Sequence, residues 1–296
     1  MDIRSGSLDD LDQLVALNAA VRPESVSSRA GHLRGLTAAT GETGTAYAAE
    51  RDGQLIGWAS VRPAGWLTGD DAYALHVMVH PDYRRQGIGS ELLRRCEAWL
   101  ATLPSWFVQS FANEAGTEFA ARAGFTVAGE LTYAGLDLDD LPPAAPVPAD
   151  LALVPFTQLT PADVFPAYRA TTTDIPGGTA VDPDFDWFEQ DVWSEPSFDH
   201  DLSLAFVADG EVVAFTIALR EENRLWSDMT GTVATHRRRG LARVLKSASL
   251  AAARQAGVTA AYTIMNLENE PMLAVNRHLG YRAVGLRTQV TKEHGR

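Results

Sequence analysis

Short apolar runs alternate with amphipathic stretches along the chain, and their order predicts two similar sets of elements. Leu8, Leu11, Leu14, Val15 and Leu17 fall on or near one face of a helix predicted from about residue 8 to 21. Each half also has two strand-like runs around an Asp-Gly pair, YAAERDGQLIGWASV and LAFVADGEVVAFTIAL, which is typical of a β-hairpin. Both halves are therefore predicted to begin with a short strand, one or two helices and a hairpin.

A third strand in each half leads into a glycine-containing turn and a strongly amphipathic helix. The turn has the form R-x-x-G-x-[GA] at residues 84–89 and again at residues 237–242. Apolar residues at helical spacing define the buried face of each following helix: Ile88, Leu92, Cys96 and Trp99 in the first half, and Leu241, Val244, Leu245 and Ala248 in the second. The same elements in the same order indicate a duplication.

A third pair of matching stretches supports the duplication. NEAGTEFAARAGF at residues 113–125 corresponds to NEPMLAVNRHLGY at residues 269–281. Between the halves, DLDDLPPAAPVPADL contains four prolines and no apolar periodicity, which is typical of a linker. We therefore predict a mixed α/β domain built twice, with an N-terminal domain at residues 1–138, a Pro/Ala-rich linker at 139–150 and a C-terminal domain at 151–296.

The composition narrows the class of protein. The 296 residues are 46% apolar with a net charge of −13, and no stretch has the character of a signal peptide or a membrane span, so we expect a cytoplasmic protein. The acidic balance argues against nucleic acid as a partner, and a monomer or homodimer without membrane contact is expected.

The only cysteine, Cys96, excludes an internal disulfide and is predicted to be a buried thiol. His76 and His80 have no evident third ligand, so no metal site is predicted.

The basic glycine turns are candidate anion sites in this acidic chain. The first N–H groups of a helix lack intrahelical partners and carry the positive end of the helix dipole, and glycine lets an anion come close to them. The turns match neither a Walker A loop nor a dinucleotide fingerprint. These residues alone allow two interpretations, a bound pyrophosphate and a solvated helix cap.

The longer stretches around the turns carry a family resemblance. LHVMVHPDYRRQGIGSELL with NEAGTEFAARAGF, and GTVATHRRRGLARVLK with TIMNLENEPMLAVNRHLGY, resemble the GNAT superfamily of acyl-CoA-dependent N-acyltransferases, in its tandem, two-domain form. The resemblance implies an α/β (α+β) fold of two GNAT-like domains, each with a mixed, mostly antiparallel central sheet flanked by helices. It also implies acetyl-CoA as co-substrate, no metal, and a V-shaped gap between two strands for the pantetheine arm.

Carried over residue by residue, the resemblance implies an acetyl-CoA site in each half. Strand residues pair with the pantetheine through their backbone, turn residues contact the pyrophosphate, and an asparagine lies near the pantetheine. In the first half these residues are Val77, Met78, Val79, Arg84, Arg85, Gln86, Gly87, Ile88, Gly89 and Asn113. In the second half they are Thr232, Val233, Arg237, Arg238, Arg239, Gly240, Leu241, Ala242 and Asn269.

Transfer of an acetyl group to an amine needs a group that accepts the amine proton and a group that protonates the leaving thiolate. Asp228, in the strand before the second turn, is the candidate proton acceptor, and an aspartate paired with a neighbouring backbone group is the alternative. The tyrosine that protonates the thiolate in the family corresponds to Ala120 and Asn276 here. Either another group protonates the thiolate, or a half without the tyrosine does not catalyse.

The segment at residues 171–201 is the candidate site for the acceptor. Its Trp187, Phe188 and Trp193 are mixed with carboxylates, which suits a cationic amine, although an ordinary amphipathic helix with a solvated acidic side fits at least as well. The corresponding first-half stretch, RPESVSSRAGHLRGL, is basic. The sequence thus predicts an N-acetyltransferase that acts on a primary amine of a small, cationic molecule, with the C-terminal half catalytic. The alternative is an acyl-CoA-binding protein without catalysis.

Overall fold

The structure, a computed structural model, describes residues 2–67, 69, 71–173, 175 and 182–295. Contacts between residues divide the chain into two compact units. The first unit contains Met1–Gly129 and Arg287–Arg296, and the second contains Glu130–Leu286. Each unit has its own set of paired strands and its own buried clusters of apolar side chains.

The first unit is a mixed, mostly antiparallel sheet flanked by helices. Its strands are β1 (Asp2–Ser5), β2 (Thr45–Arg51), β3 (Gln54–Pro63), β4 (Ala72–Val79), β5 (Trp106–Ala112) and, beside β5, the end of β12 (Arg282–His294). Among the described strand pairs of this unit, β4 and β5 run parallel and the others antiparallel. Its helices are α1 (Leu11–Val21), α2 (Arg29–Thr40), α3 (Ile88–Leu100) and α4 (Glu114–Arg122).

The second unit repeats this arrangement. Its strands are β6 (Thr126–Asp137), β7 (Ala152–Pro155), β8 (Leu204–Ala208), β9 (Glu211–Glu221), β10 (Arg224–Thr232) and β11 (Ala260–Asn266), in the sheet order β7, β8, β9, β10, β11, β6. Of the strand pairs that the structure describes here, β10 and β11 run parallel and the others antiparallel. Its helices are α5 (Pro161–Thr172), α6 (Phe185–Trp187), which continues as a π-helix over Phe188–Trp193, α7 (Leu241–Gln255) and α8 (Glu270–His278).

The closing strand of each sheet comes from the other half of the sequence. In the first unit, Thr288–His294 of β12 pair with β5, whereas in the second unit residues 131–137 of β6 pair with β11. The chain therefore passes between the units at residues 129–130 and 286–287, not within the predicted linker at 139–150. The prediction assigned β6 to the first domain because β6 precedes the proline-rich stretch in the sequence, whereas residues 131–137 make their strand pairing with β11 of the second unit.

The predicted amphipathic helices pack as expected, with one exception. In α3, Ile88, Leu92 and Cys96 are buried against the sheet. In α7, the buried face includes Leu241, Val244 and Leu245. Leu8 is 50% exposed because it lies in a 3-10 turn before α1, which begins only at Leu11. The prediction that Leu8 belongs to the buried face of the first helix is therefore wrong.

Candidate functional site

The two glycine turns have the same backbone conformation. Arg85 and Gly87 have φ values of 62° and 81°, and Arg238 and Gly240 have values of 62° and 76°, all in the left-handed region. Such residues turn successive N–H groups toward one side and form a concave anion site. Each turn leads directly into a long helix, α3 or α7, so the helix dipole adds to the same site.

An arginine closes each turn onto the strand before it. The Nε of Arg84 donates a hydrogen bond to the carbonyl oxygen of Val79 at 3.2 Å, and the Nε of Arg237 donates to that of Thr232 at 3.0 Å. Because the contact is the same in both units, the turns are held in the same position relative to the strand end. The two copies of the sequence therefore fold into the same turn.

The parallel strands separate just before the turns. β10 and β11 pair only over Arg224–Trp226 and Ala260–Tyr262, and β4 and β5 pair only over Ala72–Ala74 and Phe107–Gln109. Each parallel pair therefore diverges toward its carboxyl ends, which leaves a gap edged by backbone N–H and C=O groups. This is the V-shaped gap that the family resemblance implied.

In the second unit the gap opens into a cavity of about 640 Å³. It extends from Asp228 on β10 to the glycine turn, with residues 263–266 of β11 on the other side. Of the predicted acetyl-CoA residues, seven line it: Thr232, Arg237, Arg238, Gly240, Leu241, Ala242 and Asn269. Val233 packs into the apolar clusters instead, and Arg239 forms an ion pair with Asp150 at 2.5 Å, so neither faces the cavity.

The first unit has a much smaller cavity of about 100 Å³. The predicted residues that line it are Val77, Met78 and Asn113, whereas Val79, Arg84, Arg85, Gln86, Gly87, Ile88 and Gly89 lie outside its lining. Arg22 and Arg287 occupy part of its wall, and Arg287 forms a largely buried ion pair with Glu24. The cavity of the first unit therefore does not reach its glycine turn.

Asp228 lies at a bulge in β10. The pairing of β10 with β9 shifts by one residue between Ser227 and Thr230, and such a bulge re-aims the side chain at that point. Solvent reaches the carboxylate through the cavity, while the surrounding protein raises its pKa. Trp226 Nε1 donates a hydrogen bond of 3.1 Å to Asp228 Oδ1, which opposes that rise. A carboxylate in this environment accepts a proton more readily than one in water.

Lys246 is a cavity residue that the sequence analysis did not select. Its side chain is 2% exposed and lies on the sheet-facing side of α7. Within the described part of the chain, its ammonium group donates no hydrogen bond, and Nζ lies 5.3 Å from the ring centre of Tyr281. Burial lowers the pKa of Lys246 to about 7, and the charge of Asp228 partly offsets this effect.

The two cavities differ in chemistry at equivalent positions. Counted from the glycine turns and from the asparagines that precede α4 and α8, four apolar residues of the first cavity correspond to polar residues in the second unit. They are Leu75, Leu93, Ala120 and Phe125 in the first unit, and Asp228, Lys246, Asn276 and Tyr281 in the second. A comparison of Leu93 with Lys246 was the sequence signal that could have identified the lysine.

The asparagines of the matching stretches cap helices. Asn113 Oδ1 accepts a hydrogen bond of 2.9 Å from the N–H of Gly116, and Asn269 Oδ1 accepts one of 3.2 Å from that of Met272. Both asparagines also line their cavities. Their side chains therefore fix the starts of α4 and α8 at the edge of each gap.

The aromatic residues of the candidate acceptor segment pack into the core. Residues 174 and 176–181 of the segment lie outside the described residues. Phe188 is fully buried, Trp193 stacks on Phe156 at 5.5 Å between ring centres, and Trp187 packs beside the same cluster. Of the two interpretations of this segment, the ordinary amphipathic helix with a solvated acidic side is the one that the structure has, because the rings fill the space between α5 and the sheet. Of the segment, Thr171 and Ile175 line the cavity.

Three other predictions concern the whole chain. Cys96 is fully buried, as predicted, and burial raises its pKa to about 12. Among the residues that the structure describes, no group of three or more His, Cys, Asp or Glu side chains is arranged to hold a metal ion. In the same residues, no helix combines the length and the apolar character that a membrane crossing requires.

A diverging pair of parallel strands followed by a glycine turn and a long helix, built twice, is the arrangement of a tandem protein of the acyltransferase class. The model of the acetyltransferase (GNAT) family matches residues 13–125 and 168–281, which is well over half of the chain. The chain therefore belongs to the GNAT family and contains two copies of its domain, which confirms the predicted family and fold.

Solved structures have the same fold over nearly the whole chain. A GCN5-related N-acetyltransferase from Sphaerobacter thermophilus has a TM-score of 0.76 at 19% identity, over 99% of this chain and 95% of that one. A tandem GNAT protein from the clavulanic acid biosynthesis pathway has a TM-score of 0.74 at 20% identity, over 99% and 98%. Among curated proteins, mycothiol acetyltransferase of Kineococcus radiotolerans is 36% identical over 110 residues, which are 36% of this chain and 35% of that protein.

Proposed function

We propose that the protein transfers an acetyl group from acetyl-CoA to a primary amine of a small, cationic molecule, and that the second unit is the catalytic one. The observation that carries this proposal is the cavity of about 640 Å³, which joins an anion-binding turn to a carboxylate with a raised pKa. The cavity of the first unit is about 100 Å³ and joins no such groups.

The residues of the second unit suit acetyl-CoA. The volume falls within the range of about 300 to 1,000 Å³ that is usual for small-molecule sites. The turn at Arg238 and Gly240 presents N–H groups and positive charge for a pyrophosphate, and the backbone edge of β10 beyond the bulge is free to pair with amide groups of the pantetheine. Acetyl-CoA would supply the activated acetyl group as a thioester.

Asp228 is positioned to accept the proton of the amine. An alkylamine has a pKa of about 10, so it must lose a proton before it can attack a thioester at neutral pH. The raised pKa of Asp228 favours this transfer, and its negative charge attracts a cationic acceptor into the cavity. N–H groups of β10 beyond the bulge are candidates for stabilising the developing oxyanion.

One observation favours the alternative of acyl-CoA binding without catalysis. Asn276 occupies the position of the family's tyrosine, is fully buried, and donates from Nδ2 to the sulfur of Met265 at 2.8 Å. A carboxamide N–H is also far less acidic than the hydroxyl of tyrosine, so Asn276 does not protonate a leaving thiolate. The alternative predicts tight binding of acetyl-CoA and no transfer to any amine.

Calorimetric titration of acetyl-CoA tests the proposal with a matched pair of variants. Gly240→Val and Gly87→Val make the same change in the two turns, and in both the added Cβ meets no atom within 4 Å. The strain comes from the left-handed φ, where an L side chain costs about 1–2 kcal/mol. A turn that relaxes in the free variant must regain this conformation when it binds, which lowers affinity roughly tenfold.

We expect Gly240→Val to weaken acetyl-CoA binding about tenfold or more, and Gly87→Val to leave the dominant binding event unchanged. If Gly87→Val alone weakens binding, the first unit holds the co-substrate and the assignment of the second unit is wrong. If the wild type binds no acetyl-CoA, both turns are helix caps only. Release of CoA thiol with a panel of primary amines then separates catalysis from binding alone.

A further inference from the structure

The second unit lacks the family's proton donor for the leaving thiolate. Asn276 has replaced the tyrosine, and its amide points to Met265 and not into the cavity. Tyr281 also lies outside the cavity lining, and its hydroxyl is buried without a well-formed hydrogen bond in the described residues, although Ser227 is near. The departing sulfur must take its proton from another group of the cavity.

Lys246 is that group by position. It lines the cavity together with Asp228, five residues after Leu241 at the start of α7. At a rise of about 1.5 Å per residue, its Cα lies roughly 7.5 Å along the helix axis from the glycine turn. The lysine therefore lies beneath the gap between β10 and β11, where the pantetheine arm is expected.

The lysine is a specific feature of the second unit. Leu93 occupies the equivalent position of the first unit and lines the small apolar cavity there. A buried, unpaired ammonium group is costly, and a leucine at this position is evidently compatible with the fold. Lys246 nevertheless keeps its ionisable group at this position, and that group makes no hydrogen bond to the described residues. This indicates that a bound ligand makes contact with the group.

We propose that Lys246 protonates the thiolate of CoA as it leaves, in place of the missing tyrosine; this inference rests on the proposed function of the second unit. The acceptor enters as an ammonium ion, and Asp228 first passes one of its protons to water. As the neutral nitrogen then bonds to the acetyl carbon, Asp228 takes the second proton that the nitrogen loses. When the carbon–sulfur bond breaks, its electron pair goes to sulfur, and Lys246 gives a proton to sulfur to form the CoA thiol. Asp228 then returns a proton to Lys246, directly or through water, which restores both groups.

The surroundings of Lys246 suit this exchange. The groups that face it are Asp228 on β10 and Tyr281 before β12, while Arg243 lies on its own helix. Glu195 acts on Asp228 and raises its pKa further. Because the pKa of Lys246 is lowered to about 7, the group can both give and accept a proton near neutral pH.

The acidity of the bound CoA thiol tests this role without knowledge of the acceptor. CoA is added to the wild type and to Lys246→Met, and the absorbance of the thiolate is followed as the pH is raised. The same titration with desulfo-CoA gives the background. The protein's single thiol does not interfere, because burial raises the pKa of Cys96 to about 12.

We expect the pKa of the bound thiol to be at least one unit lower in the wild type than in Lys246→Met, a tenfold difference in acidity. Lys246→Arg, which keeps the charge, should retain most of the lowering, and Leu93→Met in the first unit should not change it. If Lys246→Met does not fold, Lys246→Gln replaces it. Equal thiol pKa values in wild type and variant, with CoA bound to both, would overturn the assignment. Failure of the wild type to bind CoA would instead refute the proposed function, and this inference with it.

Discussion

Replacement of Lys246 by methionine should change the stability of the protein in a way that depends on pH. In the folded protein the pKa of Lys246 is about 7, whereas in the unfolded chain it is close to the ordinary value of 10.5. Between these values the unfolded chain binds the extra proton, so the stability of the wild type rises with pH. Burial of the ammonium group therefore lowers the free energy of unfolding by its full amount below pH 7 and no longer lowers it above pH 10.5.

The size of the effect follows from the shift. A difference of one pKa unit corresponds to about 1.4 kcal/mol, so between pH 7 and pH 9 the wild type should gain about 2 kcal/mol relative to Lys246→Met. The lysine is almost fully buried, so solvent screening does not reduce this figure appreciably.

Urea unfolding at pH 7 and pH 9 measures the difference. Circular dichroism and tryptophan fluorescence are followed for the wild type, for Lys246→Met and for Leu93→Met, which makes the corresponding change in the first unit. The stability of Leu93→Met relative to the wild type should be the same at both pH values. If the same is true of Lys246→Met, the lysine is solvated and charged at pH 7, and the argument from burial is refuted.

Three further predictions concern other residues. Asp228→Asn should lower turnover about 10²- to 10⁴-fold in the CoA-release assay, while calorimetry should show acetyl-CoA affinity nearly unchanged. In the wild type, kcat/KM should fall as the pH is lowered, and because the pKa of Asp228 is raised, this fall should occur at a higher pH than for an ordinary aspartate. Cys96 should react with a thiol reagent only as the protein unfolds, and rapid reaction of the native protein would contradict its burial. Glu24→Gln should lower the free energy of unfolding by about 3 kcal/mol, because it leaves Arg287 largely buried without its carboxylate, and loss of under 0.5 kcal/mol in urea unfolding would show that the pair is solvated.

The features that the sequence predicted are those set by local pattern. The glycine turns, the amphipathic faces of α3 and α7, and the burial of Cys96 depend on residues close together in the chain, and the structure has them all. The pairing of β6 and β12 is different, because the sequence of a strand does not show which distant strand it pairs with. The sequence left two interpretations of Trp187, Phe188 and Trp193 for a related reason, since residue type does not show whether a ring faces a ligand or the core.

The two units make the same turn and the same diverging strands, so backbone geometry does not explain why one cavity is large and the other small. The two cavities also differ in the side chains that line them: Leu75 and Leu93 are apolar in the first, whereas Asp228 and Lys246 are ionisable in the second. The burial of an ionisable group costs stability, and ionisable groups with shifted pKa values cluster at sites that bind a ligand or catalyse a reaction. In the proposed function, the first unit, which has the small apolar cavity, is the structural partner. The glycine turn occurs in both units and the pair of Asp228 and Lys246 in one, so substitutions of that pair should separate catalysis from acetyl-CoA binding.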